Sequence, residues 1–284
     1  MSSFLLGGEL AVNRLGYGAM RLTGQPGNFG PYHDPEQGRV LLRRAVELGV
    51  NFIDTADAYG PGDNELLIAE ALRPYPSGVV IGTKGGVVKT GPEARWPDGT
   101  PGHLRAACEA SLRRLGVERI DLYQLHRPDP KVPFEESIGA LAALREEGKV
   151  RLLGLSNVTL PQLEAARAIT AIASVQNSCS LADRSSDAVL EACAAHGIAF
   201  IPYGPLGADA MRPGAPLAEA RGVLGDVAGR LGATASQVAL AWLLRRAPNV
   251  IVIPGTTSLA HLEENVAAAS LALSDEDFAM LSRG

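Results

Sequence analysis

The chain has 284 residues, 46% of them hydrophobic, and a net charge of −5 from 26 basic and 31 acidic side chains. That is ample for a large buried core, and the lack of any lysine or arginine cluster excludes a surface built to track nucleic acid. The opening MSSFLLGGELAVNR does not read as a signal peptide, and no apolar run approaches the about 20 residues of a membrane helix. A cytoplasmic setting is expected, with neither nucleic acid nor membrane as partner.

Along the chain, a Gly7–Gly8 turn first predicts a short N-terminal hairpin. Short apolar runs then alternate with longer amphipathic ones. Strands are predicted at 15–20, 51–54, 79–84, 120–126, 150–156, 174–176, 198–202 and 250–253. Helices are predicted at 35–48, 64–72, 102–115, 134–147, 161–168 and 187–195, with further helical patterns after the last two strands. Several helices end at Gly or Pro, as at Gly49, Pro74, Gly116 and Gly148, and Val40, Leu41, Ala45 and Leu48 show the spacing that gives one face to bury. Strands that are short apolar runs are covered on both faces. Eight such units without a composition break predict an α/β fold, a (β/α)8 TIM barrel forming a single domain over residues 1–284. An open doubly wound sheet is the competing architecture.

Two irregular segments, 85–101 and 204–216, leave strand C-termini and should overhang the rim where barrel chemistry takes place. Trp96 in the first either lines a substrate pocket or packs its loop onto the barrel. Cys108, Cys179 and Cys193 show no CxxC spacing and read as buried free thiols in a reducing compartment. The five histidines show no H-x-H or H-E-x-x-H spacing and the carboxylates do not cluster, so no metal site is expected. Oligomeric state is not readable from these patterns.

Four residues stand out because the predicted topology gathers them at one rim. Asp54, Lys84 and His126 close successive strands, and Tyr59 lies in the loop after the first of these. A lysine ending an apolar strand needs a partner, because a buried ammonium is costly alone. Asp54 on the neighbouring strand supplies one, with Asp57 the alternative if the turn is read one step late. Taken singly, each of the four has a plain structural reading: a turn carboxylate, a packed ring, a surface charge, a core imidazole. Together they could deliver a proton to a reacting oxygen.

The stretches GVNFIDTADAYG, VVIGTK and IDLYQLH resemble the catalytic signature of the aldo-keto reductase superfamily. LLGLSN at 152–157, SVQN at 174–177, IPYGPLG at 201–207 and IPGTTSLAHLEEN at 253–265 continue the resemblance in family order over nearly the whole chain. It implies a barrel that binds a nicotinamide dinucleotide without a Rossmann domain, and no G-x-G-x-x-G sits between a strand and a helix here. By resemblance Tyr59 is the proton donor, Lys84 lowers its pKa, Asp54 holds Lys84, and His126 orients and polarises the carbonyl. Ser156, Asn157 and Gln176 match residues that hold the nicotinamide carboxamide, and Tyr203 matches the aromatic that stacks on its ring. The turn Gly204, Pro205, Leu206 and Gly207 matches the pyrophosphate segment, and Glu264 and Asn265 match the adenine-binding pair.

One departure concerns the 2′-phosphate end. Many family members carry a lysine after the Ile-Pro of the last strand and an arginine six residues on, where this chain has Gly255 and His261. Thr256, Thr257 and Ser258, opening a helix that favours anions, are the remaining phosphate ligands. The expected cofactor is NADPH/NADP, with NADH use allowed. Met20, Trp96 and Arg127 are expected to wall the substrate pocket; Arg127 either binds an anionic group or is a solvated rim charge. The expected function is reversible reduction of a small-molecule aldehyde or ketone, with pyridoxal and pyridoxine a candidate pair. Rival readings are a cofactor-binding redox-sensing subunit with little turnover and a lyase using Lys84 as a Schiff-base nucleophile.

Overall fold

The computed structural model describes residues 2–206 and 222–283. Strands β1 (Ser3–Leu6) and β2 (Leu10–Asn13) form the N-terminal antiparallel hairpin. Its turn requires Gly7, which has φ +59° and whose absent Cβ would meet Leu152 Cδ2 at 2.5 Å.

A run of β–α units follows. Strand β3 (Tyr17–Gly18) leads to α1 (Pro35–Glu47), and β4 (Phe52–Asp54) leads to α2 (Asp63–Leu72). Strand β5 (Val80–Gly85) passes through a hairpin of β6 (Val87–Lys89) and β7 (Arg95–Pro97) to α3 (Pro101–Leu115). Strand β8 (Ile120–Leu125) precedes α4 (Phe134–Glu146), and β9 (Val150–Ser156) precedes α5 (Leu160–Ile169). Strand β10 (Ser174–Ser178) precedes α6 (Asp187–Ala195). After β11 (Ala199–Tyr203) come α7 (Val223–Leu231), α8 (Ala235–Arg246), α9 (Leu259–Ala267) and α10 (Asp275–Arg283).

The strands of these units form a seven-stranded parallel sheet in the order β3-β4-β5-β8-β9-β10-β11. Its two edges are joined by the segment predicted as the last strand. Val250 bridges Phe200 of β11, and Val252 bridges Leu15 just before β3. Ile251 N donates to Phe200 O and Val252 N to Arg14 O, both at 2.9 Å. The segment is a strand in hydrogen bonding to both neighbours but too short on each side to form a continuous ladder. Arg14 fastens it further, donating to Val250 O at 2.9 Å, to Ala247 O at 2.6 Å and to Leu244 O.

The core has two layers. Inside the curled sheet, Phe52, Val80, Leu122, Leu152 and Ile251 meet Leu6 and Val12 of the hairpin, which plugs the N-terminal end of the sheet. Between sheet and helices, Leu41, Leu104, Ile138, Leu163 and Trp242 belong to a larger cluster. Burial on both faces is why the strands carry unbroken apolar runs. Several helices start at side-chain caps: Thr100 accepts from His103 N, and Thr159 and Thr234 form reciprocal capping boxes with Gln162 and Gln237.

Two predicted elements come out differently. The strand expected over 15–20 is paired at Leu15, by its bridge to Val252, and at Tyr17–Gly18, and stops there because Ala19–Arg21 turn into a 3-10 helix. The segment 85–101, read as irregular, contains the β6–β7 hairpin. Most of the other long segment, 204–216, lies outside the described residues. No helix among the described residues is long and apolar enough to cross a membrane.

Candidate active site

Parallel pairing sets the register of the site. Asp54 of β4 lies opposite Gly82, and Lys84, two residues further along β5, lies opposite Gln124 of β8. All three side chains turn into the sheet interior, where Lys84 is fully buried and Asp54 nearly so. Lys84 Nζ donates to Asp54 Oδ2 at 2.6 Å and to Thr55 O at 2.9 Å, and lies 3.4 Å from Tyr59 Oη. The ammonium also stands 5.1 Å from the Tyr59 ring centre. Asp54, not Asp57, is therefore the lysine's carboxylate partner. Asp57 contributes its backbone instead, its N–H donating to Lys84 O at 3.1 Å.

Asp54 is fixed from both sides. Its Oδ1 accepts from Gln176 Nε2 at 2.9 Å and from Gln124 Nε2 at 3.2 Å. Gln124 is a site residue that motif reading passes over; its signal is an uncharged amide inside the apolar strand IDLYQLH. Gln176, expected at the carboxamide, here spends one amide hydrogen on Asp54.

His126 follows β8 directly, and its ring packs edge-on against Tyr59 with centres 5.8 Å apart. Burial holds the imidazole well below the usual histidine range, helped by the positive charges of Lys84, Arg127, Arg95 and Lys89. The ring is therefore neutral at pH 7. Its Nδ1 is buried without a hydrogen-bond partner among the described residues.

The Tyr59 phenol departs from the sequence expectation. Burial raises its pKa, and the nearby Lys84 ammonium, which lowers it, only partly offsets that. For Lys84, burial alone would lower the pKa. The Asp54 carboxylate and the Tyr59 hydroxyl outweigh burial and hold it above the lysine range. The site thus contains a charged ammonium, a protonated phenol and a neutral imidazole.

Beside this group, the ends of β9, β10 and β11 bring together the residues expected at a nicotinamide. Asn157, at φ 59°, is the hub. Its Nδ2 donates to Ser156 Oγ and to His126 O, both at 3.0 Å. Its Oδ1 accepts from Tyr203 Oη at 2.8 Å and from Arg127 at 3.2 Å. Gly204 at φ +63° turns the chain out of β11, Pro205 is buried and Leu206 packs on the core. Gly207 lies outside the described residues.

At the far end, Thr256 O accepts from Tyr17 Oη at 2.6 Å, and Thr256 Oγ1 accepts from Ser258 N at 3.1 Å. Ser258 caps α9, accepting from the N–H of the exposed His261. Thr257 lies in the same turn. Glu264 is already engaged by Thr234 Oγ1 at 2.6 Å, while Asn265 is buried in the helix. The missing lysine has a steric cause, since a Cβ on Gly255 would sit 2.7 Å from Gly18 O. Reciprocally, a Cβ on Gly18 would sit 2.6 Å from Ile253 O.

The expected pocket walls are less concentrated. Met20 sits half-buried in the 3-10 turn after β3, and Arg127 is exposed beside His126. Trp96 stands on β7 opposite Val88, 47% exposed, and makes no ring contact with the tetrad among the described residues. No cluster of metal-ligating side chains occurs among the described residues, and all three cysteines are buried and free.

An oxidoreductase of Schizosaccharomyces pombe is 47% identical over 96% of this chain and 87% of its own length. The pyridoxine 4-dehydrogenase of Escherichia coli is 46% identical over 97% of this chain and 95% of its own. A crystal structure of an aldo/keto reductase from Klebsiella pneumoniae in complex with NADP and acetate superposes with a TM-score of 0.80 at 29% identity. It covers 99% of this chain and 94% of that one. The aldo/keto reductase family profile matches residues 14–283, so the chain belongs to the aldo/keto reductase family and is an NAD(P)H-using oxidoreductase.

Proposed function

We propose that the chain reduces an aldehyde or ketone to an alcohol, reversibly, at the site formed by Asp54, Tyr59, Lys84 and His126. The observation that carries this is the protonated phenol of Tyr59 placed 3.4 Å from a buried ammonium and edge-on to a neutral imidazole. The hydride comes from a reduced nicotinamide cofactor when one is bound. The amide and hydroxyl groups of Ser156, Asn157 and Gln176 on adjacent strand ends suit a carboxamide, which needs both donors and acceptors. The aromatic face of Tyr203 and the capped N-terminus of α9 suit a flat ring and a phosphate.

Carbonyl reduction places negative charge on the oxygen as hydride arrives, and that oxygen must be protonated. Tyr59 donates the proton, and the phenolate left behind is stabilised by Lys84. Asp54 keeps Lys84 charged, and Gln124 and Gln176 keep Asp54 in place. His126 donates a hydrogen bond to the carbonyl oxygen as a neutral group. A raised phenol pKa suits the reductive direction, since the acid is fully protonated at neutral pH.

The finer readings follow. Pyridoxal and pyridoxine are the favoured substrate pair, supported by the 46% identical pyridoxine 4-dehydrogenase. NADPH is the favoured cofactor, with Thr256, Thr257, Ser258 and His261 at its 2′-phosphate and Glu264 and Asn265 at its adenine. A closed (β/α)8 barrel in one domain is supported by the bridges of residues 250–252 to both sheet edges. A cytoplasmic setting is supported by the buried free thiols. A Schiff-base role for Lys84 is disfavoured, because the amine is held in its charged form.

The test is NADPH consumption over a panel of aldehydes and ketones including pyridoxal. Tyr59→Phe should lower kcat by about a hundredfold or more while leaving cofactor binding intact. Because His126 is already neutral, the rate of reduction should show no inflection near pH 6.5. Wild-type rates in Tyr59→Phe would remove Tyr59 as the proton donor.

A further inference from the structure

The hairpin β6–β7 carries an unusual charge pair. Lys89 and Arg95 are direct cross-strand partners, so both side chains leave the same face. Like charges in that position repel. Lys89 is half-buried, and its ammonium donates only to the neutral carbonyls of Gly27 and of Asn28 at 3.0 Å. Among the described residues it makes no ion pair. Arg127 is a third cation, set directly after His126, and its side-chain bond goes to the neutral amide oxygen of Asn157. Asn28 O also accepts from Gly60 N at 3.2 Å, so Lys89 stands at the loop that carries Tyr59, while Arg127 directly follows His126.

The cofactor does not account for Lys89 and Arg95. The hairpin springs from β5, separated by β8 from β9, where the nicotinamide residues begin, and by β4 and β3 from the closing segment with Thr256 and Ser258. Both groups of cofactor residues therefore start from strands that do not adjoin β5.

Resting on the carbonyl-reductase reading, we infer that carbonyl substrates bearing a carboxylate or phosphate remote from the reacting carbonyl are preferred over neutral ones, pyridoxal included, and that Lys89, Arg95 and Arg127 receive that anion. Lys89 and Arg95 are then specificity residues. A ligand anion gives the Lys89 ammonium a charged partner in place of neutral carbonyls, which a neutral substrate does not. Arg127 supplies a planar fork suited to either oxyanion.

The test uses matched substrates at saturating NADPH: 4-carboxybenzaldehyde against its methyl ester, and 4-formylphenyl phosphate against 4-methoxybenzaldehyde. The anionic member of at least one pair should have a kcat/KM about tenfold higher, and the advantage should shrink as salt is added. The pair that shows it identifies the anion. Lys89→Gln with Arg95→Gln should bring the two members to near parity, with ester reduction and NADPH affinity, read by fluorescence titration, as in the wild type. Equal or lower kcat/KM for both anionic members would overturn the inference while leaving carbonyl reduction standing. So would a double variant that loses ester reduction and NADPH affinity in proportion, because the cations would then serve the cofactor or the fold. Failure to reduce any of the four aldehydes would overturn both readings together.

Discussion

Asp54 and Asp57 occupy one loop under opposite electrostatics. Asp54 has Lys84, Gln124 and Gln176 on its two oxygens. Asp57 has a buried Oδ1 with no partner among the described residues, and burial, reinforced by the charge of Glu65, pushes its carboxyl up to about 8. A folded-state pKa raised above the unfolded one means the unfolded chain gives up this proton first. Asp57 therefore removes stability as pH rises from about 4 to about 8, after which its effect is constant. Asp57→Asn should stabilise the protein at pH 8 by about 1–3 kcal/mol and flatten the pH dependence of the urea midpoint across that window. An unchanged midpoint at pH 8 would show that the carboxylate has found a partner.

At the scale of elements, the closing segment and α9 separate two substitutions that sequence comparison would treat alike. Both Gly255 and His261 replace basic residues common in the family. His261 is exposed on the first turn of α9, so His261→Arg should fit and raise NADPH preference over NADH by about tenfold. Gly255→Lys should instead lower the melting temperature without raising that preference, since its Cβ would meet a backbone oxygen. A gain in NADPH affinity from Gly255→Lys would mean that the Gly18 backbone yields readily. Legibility varied by element for physical reasons. The tetrad was readable because strand ends on a parallel sheet converge whatever the loops do. The β6–β7 hairpin was not, because its three-residue strands, VVK and RWP, are too short to show an alternation. The strand at 15–20 reads too long because Gly18-Ala19-Met20 is apolar enough to continue it, while its backbone coils so that Asn64 Nδ2 can reach the carbonyls of Ala19 and Leu22. The buried cluster of Glu65 with Thr83 and Arg114 behind β5 left no local signature, since its members are brought together only by helix packing.

For the whole molecule, the decisive contact is the one that curls the sheet on itself. Arg14, before β3, holds three carbonyls between residues 244 and 250. Arg14→Ala would leave those oxygens with lost partners on a half-buried surface, and should cost about 2–4 kcal/mol, read as a lower urea midpoint. A midpoint within experimental error of the wild type would mean that the two backbone bridges suffice. This arrangement also dictates an order of events on the ribosome. Residues 14–18 emerge early, yet their partner strand is made more than two hundred residues later. Until then β3 is a bare edge, able to template association with another chain. At about 5–20 residues per second, that exposure lasts on the order of ten seconds or more. The nascent chain is thus at its most vulnerable to mispairing long after the four residues of the proposed catalytic site have been synthesised.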